Sequence, residues 1–72
     1  MLRLVQCEIR LSAREQQVLE WIAHGQTTEE IARELEIGFE TVQTHRRKLR
    51  KKLHAENGHH MVALAFRLGL LR

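Results

Sequence analysis

The sequence predicts an all-α fold of four helices, and three observations support that prediction. Apolar residues recur at helical spacing in successive segments. Two pairs of residues, each a hydroxyl residue followed three positions later by glutamate, mark helix starts as capping boxes. The chain has no proline, and Gly25, Gly38, Gly58 and Gly69 are spaced so that each can end one helical segment with a positive φ. At 72 residues the chain forms one domain at most.

The capping boxes place the first two helices. Ser12 and Glu15 form the first box, and apolar residues follow at helical spacing until Gly25. Thr27 and Glu30 form the second box, so the second helix starts at Thr27 or Thr28 and stops near Gly38. The second helix is therefore expected to be short.

The third segment, from Phe39 to about Leu53, has one narrow apolar stripe. At about 100° per residue, Val42, Leu49 and Leu53 fall on that stripe, and His45 flanks it. The opposite side carries Glu40, Gln43, Thr44, Arg47 and Lys51. The third helix is thus predicted to have a thin core face and a broad polar, basic outer face.

The fourth segment, about His60 to Leu68, is apolar nearly all round, with Arg67 as its only charge. Such a helix must be buried on more than one side, and a domain this small covers only one side with its own chain. We therefore expect its other side to face a second copy of the chain. Since Gly58 and His59 precede the segment, its start is expected to be poorly capped.

Positive charge is concentrated in the second half of the chain. Residues 1–42 hold four basic side chains and eight glutamates, a net charge of −4. Residues 43–72 hold eight basic side chains and one acid, a net charge of +7. Six of those eight cations lie within residues 46–52. A run of this kind indicates a polyanionic partner, although many charge runs are only solvated helix faces.

Residues 27–53 combine these features into a helix-turn-helix. Two short helices are joined by a tight glycine turn, and the second has a basic outer face. A helix of this kind fits the major groove, which is about 12 Å wide, and needs side chains both for base edges and for phosphates. The pattern therefore predicts binding to double-stranded DNA.

Short motifs in a fixed order strengthen this interpretation. They are Leu-Ser-Ala-Arg-Glu at 11–15, Val18-Leu19, Gly25, Glu30-Ile31-Ala32, Leu35, Ile37, Thr41-Val42, His45, Lys52-Leu53, Ala63, Ala65 and Leu68-Gly69-Leu70. Together they resemble the LuxR/FixJ-type (GerE-like) DNA-binding domain over about residues 11–71. The resemblance implies a four-helix bundle, a third helix in the major groove, a homodimer formed through the fourth helix, and a bacterial transcription regulator.

The resemblance also implies site residues. Base contacts are expected from Gln43, Thr44 and Arg47, which the helical period already puts on the outer face, although the family often has lysine where Gln43 stands. Phosphate contacts are expected from Thr28, Thr41, His45, Arg46, Lys48, Arg50 and Lys51. The dimer interface is expected to include Met61, Val62, Ala65 and Phe66.

The sequence leaves alternatives open for both the domain organisation and the function. Residues 1–10 are expected to be an N-terminal extension or linker remnant, and residues 11–72 the DNA-binding domain. Because family members usually carry a further N-terminal domain, the chain is either free-standing or an excised part. The alternative functions are a sigma-factor-like module that reads a promoter −35 element, and a protein-interaction module that uses the apolar fourth helix. RNA polymerase is a further expected partner.

Other classes of protein are not expected. The chain is too short for a roomy substrate pocket, so an enzyme is not expected. The single cysteine, Cys7, allows no intrachain disulfide, and His54, His59 and His60 lack the spacing of a closed zinc ligand set. We therefore expect no metal and no cofactor. No apolar run approaches the roughly 20 residues of a membrane span, so a cytoplasmic location without membrane contact is expected.

Overall fold

The computed structural model describes residues 9–72, and these residues form four helices. The helices are α1 (Ala13–Ala23), α2 (Thr28–Leu35), α3 (Phe39–Leu53) and α4 (Gly58–Arg67). The prediction of an all-α fold of four helices is confirmed. Cys7 and the rest of residues 1–8 lie outside the described part of the chain.

Both predicted capping boxes are present. The backbone N–H of Glu15 donates to Ser12 Oγ at 3.0 Å, and Ser12 N–H donates back to Glu15 Oε1 at 3.0 Å. At the start of α2, Glu30 N–H donates to Thr27 Oγ1 at 3.1 Å, and Thr27 N–H donates to Glu30 Oε1 at 2.9 Å. Each box satisfies two backbone donors that the helix itself cannot pair, so these starts are fixed locally.

A residue with positive φ follows each of the four helices. Only two of these four residues are glycines that the sequence predicted to end a helix. Gly25 after α1 and Gly69 after α4 have φ of 85° and 80°. After α2 and α3 the positive-φ residues are Glu36 and His54, at 57° and 55°. Each of these two turns is closed by a second backbone bond, from Ile37 N–H to Ala32 O and from Ala55 N–H to Arg50 O, both at 3.0 Å. This is the pairing of a Schellman motif.

The prediction that Gly38 and Gly58 end helices is therefore wrong, because both stand at helix starts. Gly38 is the N-cap of α3, with φ of −71° and no side-chain cap. Gly58 is the first residue of α4. The connections before α3 and α4 hold only residues 36–38 and 54–57, so the left-handed residue must come directly after each helix. Gly38 is the last residue of its connection and Gly58 follows the other one, so neither glycine can take this position.

The start of α4 is capped, contrary to expectation. Asn57 is its N-cap, and the Asn57 Oδ1 accepts the His60 N–H at 2.9 Å. The ring Nδ1 of His60 in turn accepts the Glu56 N–H at 3.0 Å. Asparagine is among the best N-cap residues, so α4 begins two residues earlier than the sequence interpretation placed it.

One hydrophobic core joins the four helices. It consists of Val18, Leu19, Ile31, Val42, Leu49, Leu53, Met61, Ala65 and Leu71. All three residues of the predicted stripe on α3 belong to it, and Trp21 packs against it partly buried. Because α3 contacts α1, α2 and α4, its stripe lies at the centre of the domain and its opposite face is left to solvent.

Candidate nucleic-acid interface

The outer face of α3 is a continuous exposed surface. Its exposed polar residues are Glu40, Thr41, Gln43, Thr44, Arg47, Lys48, Arg50, Lys51 and Lys52, whereas His45 and Arg46 are half-buried. This arrangement follows from the sequence, since only the three stripe residues of this 15-residue helix are buried. Most of the predicted DNA contacts therefore lie on one side of one helix.

The cations of this face lack acidic partners, with one exception. Within residues 9–72 the only ion pair joins Lys52 Nζ to Glu15 Oε1, at 2.6 Å. The other five cations of the 46–52 run have no carboxylate within ion-pair distance among the described residues. Their positive potential is thus directed to solvent and available to a polyanion.

The three predicted base-contacting residues are all exposed. Gln43 and Arg47 line one groove together with Arg46 and Arg50, between α3 and the start of α4. Thr44 differs, because its hydroxyl donates to the carbonyl of Glu40 at 3.0 Å. With that proton occupied, Thr44 offers its methyl group and its oxygen lone pairs to a ligand.

Two of the predicted phosphate contacts come together although they are distant in sequence. Thr28, the first residue of α2, and Arg46 of α3 line a common cleft with Gly58 and His59 at the start of α4. Partial burial lowers the pKa of the Arg46 guanidinium. Arginine nevertheless keeps its charge in proteins, so this cleft holds a cation beside the N-terminus of α2.

His45 is held beside the core. Its Nδ1 atom is buried and has no hydrogen-bond partner among the described residues. Because Nδ1 is enclosed, Nε2 is the ring nitrogen that can meet a ligand. His45 thus has a structural role on one side and one polar atom on the other.

Lys52 has a role that sequence reasoning missed. Its ammonium donates to the buried carboxylate of Glu15 and, at 2.9 Å, to the carbonyl of Arg10. The hydrogen bond from Lys52 is the largest cause of a lowered pKa at Glu15, and the Ser12 N–H adds to it. Lys52 thus fastens the end of α3 to the start of α1. The helical period hinted at this, because it places Lys52 between the stripe and the outer face.

The predicted dimer interface on α4 is wrong for two residues. Met61 and Ala65 are 1% and 0% exposed and belong to the core of their own chain. Val62 is half-buried and Phe66 is 49% exposed, so these two remain at the surface. Because they are four residues apart, they lie on the same side of α4.

The described residues form neither a metal-binding cluster nor a membrane-spanning helix. In the described part of the chain, no three His, Cys, Asp or Glu side chains come close enough to hold a metal ion. None of the described helices combines the length and the apolar character needed to cross a membrane.

Comparison with known proteins agrees with this geometry. Residues 10–65 match the family described as bacterial regulatory proteins, luxR family. The chain is 39% identical over 61 residues to the uncharacterized response regulatory protein YgeK of Escherichia coli (strain K12), 38% over 64 residues to the regulatory protein SdiA of the same organism, and 41% over 61 residues to the quorum-sensing regulator RhlR of Pseudomonas aeruginosa. These matches cover 85%, 89% and 85% of this chain but only 42%, 27% and 25% of the relatives.

Solved structures show the same fold. A Vibrio cholerae VqmA dimer, described among LuxR-type receptors, superposes with a TM-score of 0.83 at 34% identity, over 86% of this chain and 28% of that chain. The complex of VqmA with ligand and DNA gives a TM-score of 0.82 at 30% identity, over 97% of this chain and 31% of that chain. The chain therefore spans less than half the length of the proteins that it matches.

Proposed function

Since the chain belongs to the luxR family of bacterial regulatory proteins, whose DNA-binding domain it forms, we propose that α3 lies in the major groove of double-stranded DNA. The observation that carries this proposal is the outer face of α3, where exposed cations without acidic partners surround exposed polar side chains. Membership of this family also favours a regulator over the sigma-factor-like module and over an interaction module without DNA contact.

Base readout is assigned to Gln43, Thr44 and Arg47. The amide of Gln43 has the geometry to pair with an adenine edge, and the guanidinium of Arg47 with a guanine edge. Thr44 meets a base through its methyl group or its lone pairs, because its hydroxyl proton is bound within the helix. These three exposed side chains supply the sequence preference.

Phosphate contacts surround the base readers. Arg46, Lys48, Arg50 and Lys51 are the four cations assigned to this role. Thr28 and Thr41 add hydroxyl donors, and His45 adds its ring nitrogen Nε2. If four phosphates are neutralised per chain, log affinity falls with log salt concentration with a slope of about −3.6.

The experiment that tests this function measures binding to duplexes at several salt concentrations. A site selected from a random duplex library is compared with a scrambled duplex. We expect a slope near −3.6 per bound chain on both and a tighter affinity for the selected site. An affinity that does not depend on salt, or equal binding to every duplex, contradicts the proposal.

We also propose that two copies bind as a homodimer through the outer side of α4. The exposed ring of Phe66, with Val62 one turn before it, supports this proposal. A two-fold pair presents two copies of α3 to inverted half-sites one helical turn apart, roughly 34–36 Å. As part of a transcription regulator, such a dimer also has RNA polymerase as a proposed partner.

The dimer is tested with Phe66→Glu, which places a charge in the proposed interface. This variant should lose affinity for the full inverted repeat and keep its affinity for a half-site. Gln17→Glu, on an exposed position of α1, is the control for the added charge. Equal losses of Phe66→Glu on half-site and full site rule out the dimer through α4.

A further inference from the structure

The first residue of α3, Phe39, exposes a large apolar ring that the core does not use. It is 44% exposed and stands outside the hydrophobic cluster. Among the described residues, the other exposed large apolar side chains are Phe66 and Leu68, at the far end of the chain. An exposed phenylalanine forgoes the stabilisation that burial would give, so its place on α3 needs another explanation.

The position of Phe39 brings it close to the proposed base readers. It precedes Gln43 by four residues, so the two side chains lie on the same side of α3, one turn apart. The N-terminal residues of a recognition helix are the ones that reach base edges. Gly38, directly before the ring, adds no side chain that would separate the ring from the groove.

The chemistry of the ring limits what it can recognise. A phenyl side chain has no hydrogen-bond donor or acceptor, and the apolar group that bases present in the major groove is the C5-methyl group of thymine. We propose that Phe39 packs against a thymine methyl group and adds a thymine preference to the DNA site. This inference rests on the proposed function, because it requires α3 to lie in the groove.

The register of the contact follows from helix geometry. Four residues of α-helix rise roughly 6 Å, which is close to two base-pair steps of about 3.4 Å. The thymine contacted by Phe39 is therefore expected within about two base pairs of the base read by Gln43. A recognition site derived from the three predicted base readers alone would lack this position.

The experiment replaces each thymine of the selected duplex, one at a time, with deoxyuridine, which removes only the methyl group. With the unsubstituted 72-residue chain, one replacement should weaken binding by about fourfold, the value of one buried CH₂ group. Phe39→Ala should bind the thymine and deoxyuridine duplexes equally at that position and keep its preferences elsewhere. Phe39→Leu should retain part of the difference.

Leu68→Ala is the matched control, because it also truncates an exposed apolar side chain, outside α3. It should show the deoxyuridine pattern of the unsubstituted chain. The inference is overturned if Phe39→Ala keeps that pattern, or if no thymine of the selected site is sensitive to loss of its methyl group, while sequence preference and salt dependence persist. Absence of any preferred duplex overturns the proposed function, and this inference with it.

Discussion

Replacing Lys52 with methionine tests whether this cation serves the fold or the DNA. Methionine keeps an unbranched side chain that reaches as far as the lysine Cε, and it removes the charged ammonium. The change removes two donated hydrogen bonds, one to Glu15 Oε1 at 2.6 Å and one to Arg10 O at 2.9 Å. Glu15 is 5% exposed, so its carboxylate stays buried with the Ser12 N–H as its remaining described partner.

The loss of stability can be placed between two limits. A hydrogen bond to a charged group contributes about 1.5–3 kcal/mol, and a surface ion pair about 0–1 kcal/mol. The Lys52 side chain is 39% exposed, so solvent screens part of its attraction to Glu15. We therefore expect Lys52→Met to lower the free energy of unfolding by about 2 kcal/mol. In a domain of this size the midpoint of thermal unfolding should fall by roughly 8–16 °C.

Lys51→Met is the matched control, one residue away on the same helix. Lys51 is exposed and its side chain makes no described hydrogen bond or ion pair, so this change should alter the free energy of unfolding by less than about 0.5 kcal/mol. For DNA binding we expect the opposite order, with the larger effect from Lys51→Met. Lys51→Met should reduce the salt slope by about 0.9, whereas Lys52→Met, measured well below its melting temperature, should leave the slope unchanged.

Urea unfolding followed by circular dichroism measures the first effect, and fluorescence anisotropy at several salt concentrations measures the second. Equal stability of the two variants would show that the contacts of Lys52 contribute nothing to the fold. A salt slope lowered as much by Lys52→Met as by Lys51→Met would show that Lys52 contacts a phosphate. Either result refutes the assignment of Lys52 to positioning α3.

Three other changes give definite expectations. The folded protein holds the pKa of Glu15 below its ordinary value of 4.5, so the stability that this group adds is fully present above about pH 4.5 and is lost as the pH falls through the lowered value. Glu15→Gln should therefore flatten that part of the urea-midpoint profile, and a profile with unchanged slope would contradict the ion pair. Asn57→Ala should lower the free energy of unfolding by about 1 kcal/mol through loss of the α4 cap, whereas an unchanged urea midpoint would show that the cap does not matter. Arg47→Ala should weaken binding by about 1–3 kcal/mol and relax preference at one base pair, and a uniform loss over a site library would assign Arg47 to a phosphate.

The parts of the fold that the sequence predicted well are encoded within a few residues. Ser12 with Glu15, and Thr27 with Glu30, form their bonds across three positions, so each helix start is decided locally. Helix ends were predicted less well, because they depend on how soon the next helix begins. Glu36 takes a left-handed conformation, which suits glycine better, because only three residues separate α2 from α3.

At the candidate site, too, local features were predicted well and contacts between distant residues were not. Periodicity was enough to find the outer face of α3, because one buried stripe defines the opposite side. It placed Lys51 on that face and left Lys52 out, but it gave Lys52 no partner, since Glu15 stands 37 positions away in sequence. On α4 periodicity decided nothing, because a helix that is apolar all round does not show which side the core takes. Met61 and Ala65 lie in the core because α4 packs against α1 and α3.

If α3 reads DNA as proposed, its readout depends on residues that never need to contact DNA. Nine positions separate Gln43 from Lys52, or roughly 14 Å of helix. If α3 turned by only about 5° around its Lys52 end, the backbone at Gln43 would move by about 1 Å over that length. Hydrogen bonds to a base edge tolerate only a few tenths of an ångström around about 2.9 Å. The contacts of Lys52 with Glu15 and Arg10 hold this end of α3. We therefore propose that they act on sequence preference through geometry rather than through charge.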